Sequence, residues 1–294
     1  DEAEKNHKNI NSAIDGFLKA GYRLIKTPLA EFEDSFTPES DNYFQAVDVI
    51  SGKNLVFRND ITPQISRLLS SRLQEEKLPL KICYSGDVLC AKSDELYKDR
   101  QQTQVGLEII GCNAEESNFE IIENLLTTLK KLLDKNQKKD LVIEFSLPNF
   151  LEIFFSELKI QNREELRAAI IQKNISQVRE LSGKNSDIIN KIMLSNNDLK
   201  GLVKEISTKI KSQKIIDEMK KAQKISDFLT KDFPEVRVCF DLFGDRNSTY
   251  HNEIAFDVFC GDFSYPVARG GRYKTSNIDA IGATIYINRL RKIA

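Results

Sequence analysis

An α+β fold with an antiparallel sheet flanked by helices is predicted for this chain on three observations. The strand-like runs come in hairpin-spaced groups rather than as alternating βαβ units. Amphipathic helical patterns precede and follow them. Between the strand-rich parts, from Asn149 to about Phe233, the texture changes to lysine, asparagine, isoleucine and glutamate with continuous helical periodicity and little glycine.

In chain order, Ile10, Ala13, Ile14, Phe17 and Leu18 recur at helical spacing and Gly21 follows as a stop, so the first helix should cover Glu4 to Ala20. Tyr22 to Lys26 reads as a strand running into Thr27-Pro28. Phe44 to Ile50 and Asn54 to Phe57 read as a hairpin around Ser51-Gly52. Thr62-Pro63 is a helix start, with Thr62 as N-cap and Ile65, Leu68, Leu69 and Leu73 as the buried side. Leu80 to Leu89 and Thr103 to Ile110 are strands joined by a charged loop, Ala91 to Asp99. Ser117-Asn-Phe-Glu120 has the form of a capping box opening a helix whose apolar positions run from Ile121 to Leu133. Leu141 to Leu147 is a strand ended by Pro148.

The stretch from 149 to 233 is expected to be a helical insertion with breaks near Asn174, Gly183 and Asn196–Asn197. The core would then comprise residues 1–148 and 234–294. Strand signals return at Val236–Phe243, Ile254–Phe259, Ser264–Ala268 and Asp279–Ile285, and a short helix containing Arg289 closes the pattern. No internal repeat or low-complexity tract is present.

Composition narrows the function classes. A chain of 294 residues with 40% hydrophobic and 30% charged residues fits a globular protein of one large or two ordinary domains. Lys+Arg 43 against Asp+Glu 44 gives a net charge of −1, a poor footprint for a nucleic-acid binder, although a local basic patch can hide in a neutral total. The five cysteines (Cys83, Cys90, Cys112, Cys239, Cys260) form no CxxC pair, and the histidines are His7 and His251. Neither a metal site nor a disulfide framework is expected, and the thiols read as reduced ones in a cytoplasmic protein. No apolar run is long enough to span a bilayer and no signal peptide is visible, so no membrane partner is expected. The chain starts at Asp1 rather than Met, which leaves room for a preceding piece.

Four segments carry the functional reading. The first is Gly21-Tyr-Arg-Leu-Ile-Lys-Thr-Pro28-Leu-Ala-Glu31, which by itself is also what a helix–strand junction needing Gly and Pro looks like. The second is Phe57-Arg58-Asn-Asp60-Ile-Thr62-Pro63-Gln-Ile-Ser-Arg67, which also fits a capped helix with an acid stabilised by its dipole. The third joins Lys81–Cys90 to Arg100–Gly111. In it Gln104 and Glu108 stand four apart on a strand, hence on one face, and buried polar side chains there need partners. The fourth runs from Asp241 to Arg289. It contains Arg246-Asn-Ser-Thr-Tyr250-His251, Ala268-Arg-Gly270-Gly271-Arg272-Tyr273 and Gly282-Ala-Thr-Ile-Tyr-Ile-Asn-Arg289.

In this order the four segments resemble the histidyl-tRNA synthetase superfamily of class II aminoacyl-tRNA synthetases. They span Ala20 to Leu290, apart from the helical stretch. The resemblance implies a class II synthetase-like fold, a homodimer built through the first segment, and a histidine-like pocket of Asp60, Thr62, Gln104, Glu108, Arg246, Tyr250 and His251. It also implies a nucleotide site at Cys90, Arg100 and Arg289, and there the sequence departs from the pattern. The position of Cys90 is an arginine that clamps the α-phosphate of ATP in the synthetases. A thiol has neither fixed charge nor a fork of donors. Adenylation builds charge on that phosphoryl group, and one lost donor costs roughly 10²–10³ in rate. Further departures are His251 in place of a second tyrosine and Lys274 in place of an aspartate. Arg289 also reads as a surface residue of a terminal helix.

The form Asp60-x-Thr62-Pro63-Gln64 is closer to a non-catalytic branch, the regulatory subunits of short-form ATP phosphoribosyltransferase, than to the synthetases, which carry a glutamate. That resemblance implies a subunit with no catalysis and no cofactor of its own. It would bind a separate catalytic ATP phosphoribosyltransferase subunit in a hetero-octamer, be required for its activity, and serve feedback control by histidine in histidine biosynthesis. The sequence ends at Ala294 directly after the last motif, where a synthetase continues into an anticodon-binding domain. With the neutral charge, this sets the expectation against a tRNA or other nucleic-acid substrate. Two other readings stay open: a working amino-acid-activating enzyme or truncated synthetase core, and a purely structural dimer-forming module. Residues 149–233 read either as a partner-binding surface or as a solvated appendage.

Overall fold

The computed structural model describes residues 1–35, 42–71, 73, 75–92, 99–112, 115–134, 137–195, 198–244, 251–275, 277–291 and 293. The chain divides into two compact units, Asp1–Asp134 with Thr275–Ala294, and Lys135–Lys274.

The first unit begins with α1 (Glu2–Lys19), capped by the Asp1 carboxylate on the Glu4 amide. β1 (Arg23–Ile25), β2 (Ala30–Phe32), β3 (Gln45–Val47) and β4 (Asn54–Phe57) lead to α2 (Thr62–Ser71), and β5 (Leu80–Leu89), β6 (Gln101–Ile110) and α3 (Glu115–Leu132) follow. The sequence returns to this unit with β11 (Ile278–Tyr286) and the one-turn α10 (Ile287–Leu290). Its sheet runs β1-β5-β6-β11, parallel between β1 and β5 and antiparallel elsewhere, and β2-β4-β3 form a separate antiparallel ribbon. The parallel pair was not expected. It arises because β2–β4 and α2 supply a connection long enough for a crossover, which a tight turn cannot.

Strand alternation gives this sheet two unlike faces. Cys83, Val105, Leu107, Ile109, Ile281, Ala283 and Ile285 make one apolar face, buried beneath α1 and α3. Ile121, Ile122, Leu125 and Leu129 of α3 and Ala13, Ile14 and Phe17 of α1 supply the covering layer. Burying a side chain of this size contributes about 1.5–3 kcal/mol. Lys81 and Tyr22 both meet Glu120 of α3 at the margin. The opposite face carries polar residues and glycines.

The second unit holds β7 (Leu141–Ser146), β8 (Arg237–Phe240), β9 (His251–Cys260) and β10 (Ala268–Thr275) in the order β10-β9-β7-β8. β7 and β8 are parallel. Between them in sequence, among the described residues, lie six α-helices: α4 (Phe150–Glu157), α5 (Arg163–Ile171), α6 (Ile175–Ser182), α7 (Ser186–Leu194), α8 (Leu199–Lys209) and α9 (Gln213–Asp232). Asn174 caps α6 through the Gln177 amide, and Gly183 ends it at φ 54°. The expected break at Asn196–Asn197 lies outside the described residues. Phe145 packs against Phe240 and Phe256, both at 5.7 Å, and Phe243 against Phe150 and Phe154 at 5.7 and 5.3 Å.

Several expected boundaries move for local reasons. The strand expected at Phe44–Ile50 stops at Val47, because the Asp48 carboxylate accepts from the amides of Ile50 and Ser51 and folds the chain into a turn. Val49 and Ile50 are left 94% exposed at its tip. The strand expected at Ser264–Ala268 begins at Ala268, after Pro266, which has no amide for a ladder. Ser117 is not a cap: α3 already starts at Glu115, with Glu115 and Glu116 at its positive end. Nor does the Thr62 hydroxyl serve as the helix cap, for it is bonded across the sheet.

Candidate ligand pocket

The polar face of the first unit is organised by strand register. Tyr84 of β5 and Thr284 of β11 both lie directly across from Gly106 of β6, and Gly282 lies across from Glu108. Each glycine stands where a bulky neighbour must cross. A Cβ at Gly106 would overlap the Tyr84 ring, one at Gly282 would overlap the Glu108 carboxylate, and one at Gly86 would overlap the Arg58 guanidinium.

Glu108 is 1% exposed. Its Oε1 accepts from the Thr62 hydroxyl at 3.1 Å and from the Tyr84 hydroxyl at 3.4 Å. Tyr84 is also 3.2 Å from the Thr62 hydroxyl and 2.8 Å from the Thr284 hydroxyl. Burial pushes the Tyr84 phenol well above its ordinary range, and the charges of Glu108 and Asp60 push in the same direction, so it stays a neutral donor. Asp60 sits just before α2, where its Oδ1 accepts from the Ile61 amide at 2.7 Å. Burial raises its carboxyl above the usual value of 3.8, opposed by that amide, by Gln104 and by the Thr62 amide. The Gln104 carbonyl oxygen takes the Ile61 amide at 3.3 Å. Four of the residues expected in the pocket, Asp60, Thr62, Gln104 and Glu108, are thus joined through α2 and β6.

Behind them Arg58, 4% exposed, donates from Nε to the Asp87 carbonyl at 2.7 Å. Its Nη1 meets the Thr27 carbonyl and hydroxyl at 2.9 and 2.7 Å. It is a buried cation spent on backbone and hydroxyl oxygens, and burial lowers its pKa. Gln64 ties the same corner together, donating to the Pro28 carbonyl at 2.9 Å and to Glu31 at 2.8 Å.

The end expected to hold a nucleotide is arranged differently. Cys90 is partly buried, its thiol raised by burial and by Asp60 and lowered by Arg289. Its amide donates to the Arg100 carbonyl at 2.8 Å. Arg100 is exposed, its guanidinium 5.9 Å from the centre of the Phe44 ring. Arg289 is not a surface residue: it is 9% exposed, stacks at 4.0 Å on the Tyr286 ring, and donates to Gln102 at 3.2 Å.

Arg246 and Tyr250 lie outside the described residues, as does the side chain of His251, whose backbone opens β9 opposite Tyr273. Tyr84, Thr284 and Arg58 were not foreseen as members of this polar cluster. The available signal was the glycine inside each of β5, β6 and β11, which marks a close approach. No group of three or more metal-binding side chains occurs among the described residues, and no described helix is long and apolar enough to cross a membrane.

One buried and one half-buried carboxyl, an amide and three hydroxyls gather on this face, a set suited to a ligand rich in N–H donors and positively charged. Comparison with known proteins bears on which one. The sequence model of the histidyl-tRNA synthetase family matches residues 1–290. The ATP phosphoribosyltransferase regulatory subunit of Thermoanaerobacter pseudethanolicus is 30% identical over 292 residues, covering 93% of this chain and 74% of that protein. This chain belongs to the family of ATP phosphoribosyltransferase regulatory subunits. The family's member from Paramagnetospirillum magneticum is 25% identical over 295 residues, covering 98% of this chain and 77% of its own length. Among solved structures, an ATP phosphoribosyltransferase regulatory subunit/histidyl-tRNA synthetase from Bacillus halodurans superposes with a TM-score of 0.81 at 21% identity, covering 99% of this chain and 79% of that one. An ATP phosphoribosyl transferase (HisG:HisZ) complex from Thermotoga maritima gives 0.75 at 19%, covering 96% and 97%. At these identities the structures speak for the fold, which is the class II synthetase-like α+β architecture.

Proposed function

We propose that this chain acts, without catalysis of its own, as the regulatory subunit that a catalytic ATP phosphoribosyltransferase subunit needs for activity, and that its pocket senses histidine. The observation that carries this reading is the asymmetry of the site. Asp60, Thr62, Gln104 and Glu108 form a connected polar set with two carboxyls, whereas Cys90 stands where ATP requires a cation. Arg246, Tyr250 and His251 complete the pocket in this reading. Arg246 would pair with a carboxylate and the two acids would hold an ammonium and a ring N–H. Cys90, Arg100 and Arg289 are the remnant of a nucleotide site. Residues 149–233 are an insertion into the synthetase-like core. The assembly is a hetero-octamer in the cytoplasm, with copies of this chain paired through the segment around Gly21–Glu31.

A catalytic subunit should gain phosphoribosyltransferase activity when the full chain is added, and histidine should reduce the activity of the pair. Absence of any gain would refute the regulatory role. Isothermal titration of the chain with histidine should give saturable heat; no heat and no thermal shift would remove the pocket. ATP–pyrophosphate exchange should stay at background, and robust exchange would favour an amino-acid-activating enzyme instead.

A further inference from the structure

We propose that Tyr84 is the positioning residue that aims the Glu108 carboxylate at the ligand, and thereby sets which side chain the pocket accepts. This rests on the histidine-pocket reading above and adds a residue that the sequence motifs do not single out.

The argument is geometric. A glutamate on a strand has three side-chain torsions, and left to itself it would not hold one direction. The restraint that α2 and β5 place on Glu108 acts at its Oε1, which takes the hydroxyls of Thr62 and Tyr84. Tyr84 is anchored in turn, 2.8 Å from Thr284 on β11. The anchoring is possible because Gly106 lies between Tyr84 and Thr284 in register, letting the ring cross the backbone of β6. Gly282 leaves the space that the other half of the carboxylate occupies. The three strands and the helix therefore fix the plane of Glu108, as Tyr84 fixes its near oxygen and Gly282 admits its far one.

A carboxylate with a fixed plane favours a ligand that presents an N–H in that plane. A site built around such a bond rejects an analogue that lacks the donor, because the buried acceptor is then left unpaired. A residue that merely fills space would affect all ligands of one size alike. Tyr84 should instead affect those that use Glu108.

The test is titration of the full chain with L-histidine and with β-(2-thienyl)alanine, a five-membered-ring analogue without a ring N–H, in the wild type, Tyr84→Phe and Glu108→Gln. Tyr84→Phe keeps the ring over Gly106. It should weaken histidine binding by roughly tenfold and leave the thienyl analogue within about twofold, so that selectivity falls toward that of Glu108→Gln. Unchanged selectivity in Tyr84→Phe, with loss in Glu108→Gln, would overturn the positioning role while sparing the pocket. If wild type fails to bind histidine, the pocket reading falls and takes this inference with it. Should Tyr84→Phe not fold, Thr284→Val removes the anchor of the same hydroxyl at nearly constant shape. The same loss of selectivity is expected from it, and full retention would count against the proposal.

Discussion

At one end of the first unit's polar face Glu108, Thr62, Tyr84 and Thr284 are joined by hydrogen bonds of 2.8 to 3.4 Å, each group fixed by a neighbour on another element. At the other end Cys90 offers a thiol, Arg100 lies exposed over Phe44, and Arg289 is turned onto Tyr286 and Gln102. The contrast separates two kinds of polar design. The first is an interlocked set in which losing one member strands the rest. The second is a looser set: Cys90 feels the charges of Asp60 and Arg289, while Arg100 and Arg289 lie on separate rings. Binding an amino acid calls on the first, and activating it calls on the second.

The interlocked end should break most severely at Arg58. Replacing it by Met leaves the Thr27 and Asp87 carbonyls without their buried donor, and the loss should be on the order of 3 kcal/mol, read by denaturant unfolding. Gly282→Ala drives a methyl group into the Glu108 carboxylate. It should lower stability by about 1–3 kcal/mol and abolish the histidine titration, whereas an open pocket there would tolerate it.

Asp60 sharpens the comparison through pH. Its folded pKa is raised above the unfolded value, so its contribution to stability is present below the ordinary 3.8 and is lost as pH rises through the folded pKa. Asp60→Asn keeps an acceptor for the Ile61 amide and removes that penalty. The variant should therefore melt higher than wild type at neutral pH, with the difference closing in acid; an equal gap at both pH values would show that ionisation is not the cause. The smallest effect is expected at the looser end. Arg100→Gln removes an exposed cation and should leave histidine affinity within about twofold, and a larger change would mean that the two ends are coupled.

Much of this was readable from the residues, and the exceptions have physical causes. The long strand Leu80–Leu89 was placed to the residue, whereas Gln101–Ile110, His251–Cys260 and Ile278–Tyr286 all extend beyond their expected bounds. Gln104 and Glu108 were correctly set on one face because a strand's side-chain period admits no other outcome. The two parallel pairings, β1 with β5 and β7 with β8, were missed because nothing in a strand's own residues records the direction of a distant neighbour. The three-residue β2 was missed because it is too short to show a period. Thr62 was assigned to its own helix by local rules, and a contact 46 residues away in sequence prevailed. Tyr84 is by burial a core aromatic. Its hydroxyl acquires a role only from Gly106 and Thr284 on other strands.

The parallel pairing of β7 with β8 bears on how the protein is made. Leu141–Ser146 leaves the ribosome well before Arg237–Phe240, with the whole run of helices α4 to α9 in between. Those helices rest on contacts between sequence neighbours and can form early, whereas the strand must wait. Until synthesis reaches Arg237, the apolar residues Ile143 and Phe145 lack their partners on β8. The nascent chain passes through an interval in which the sheet of the second unit is an aggregation hazard.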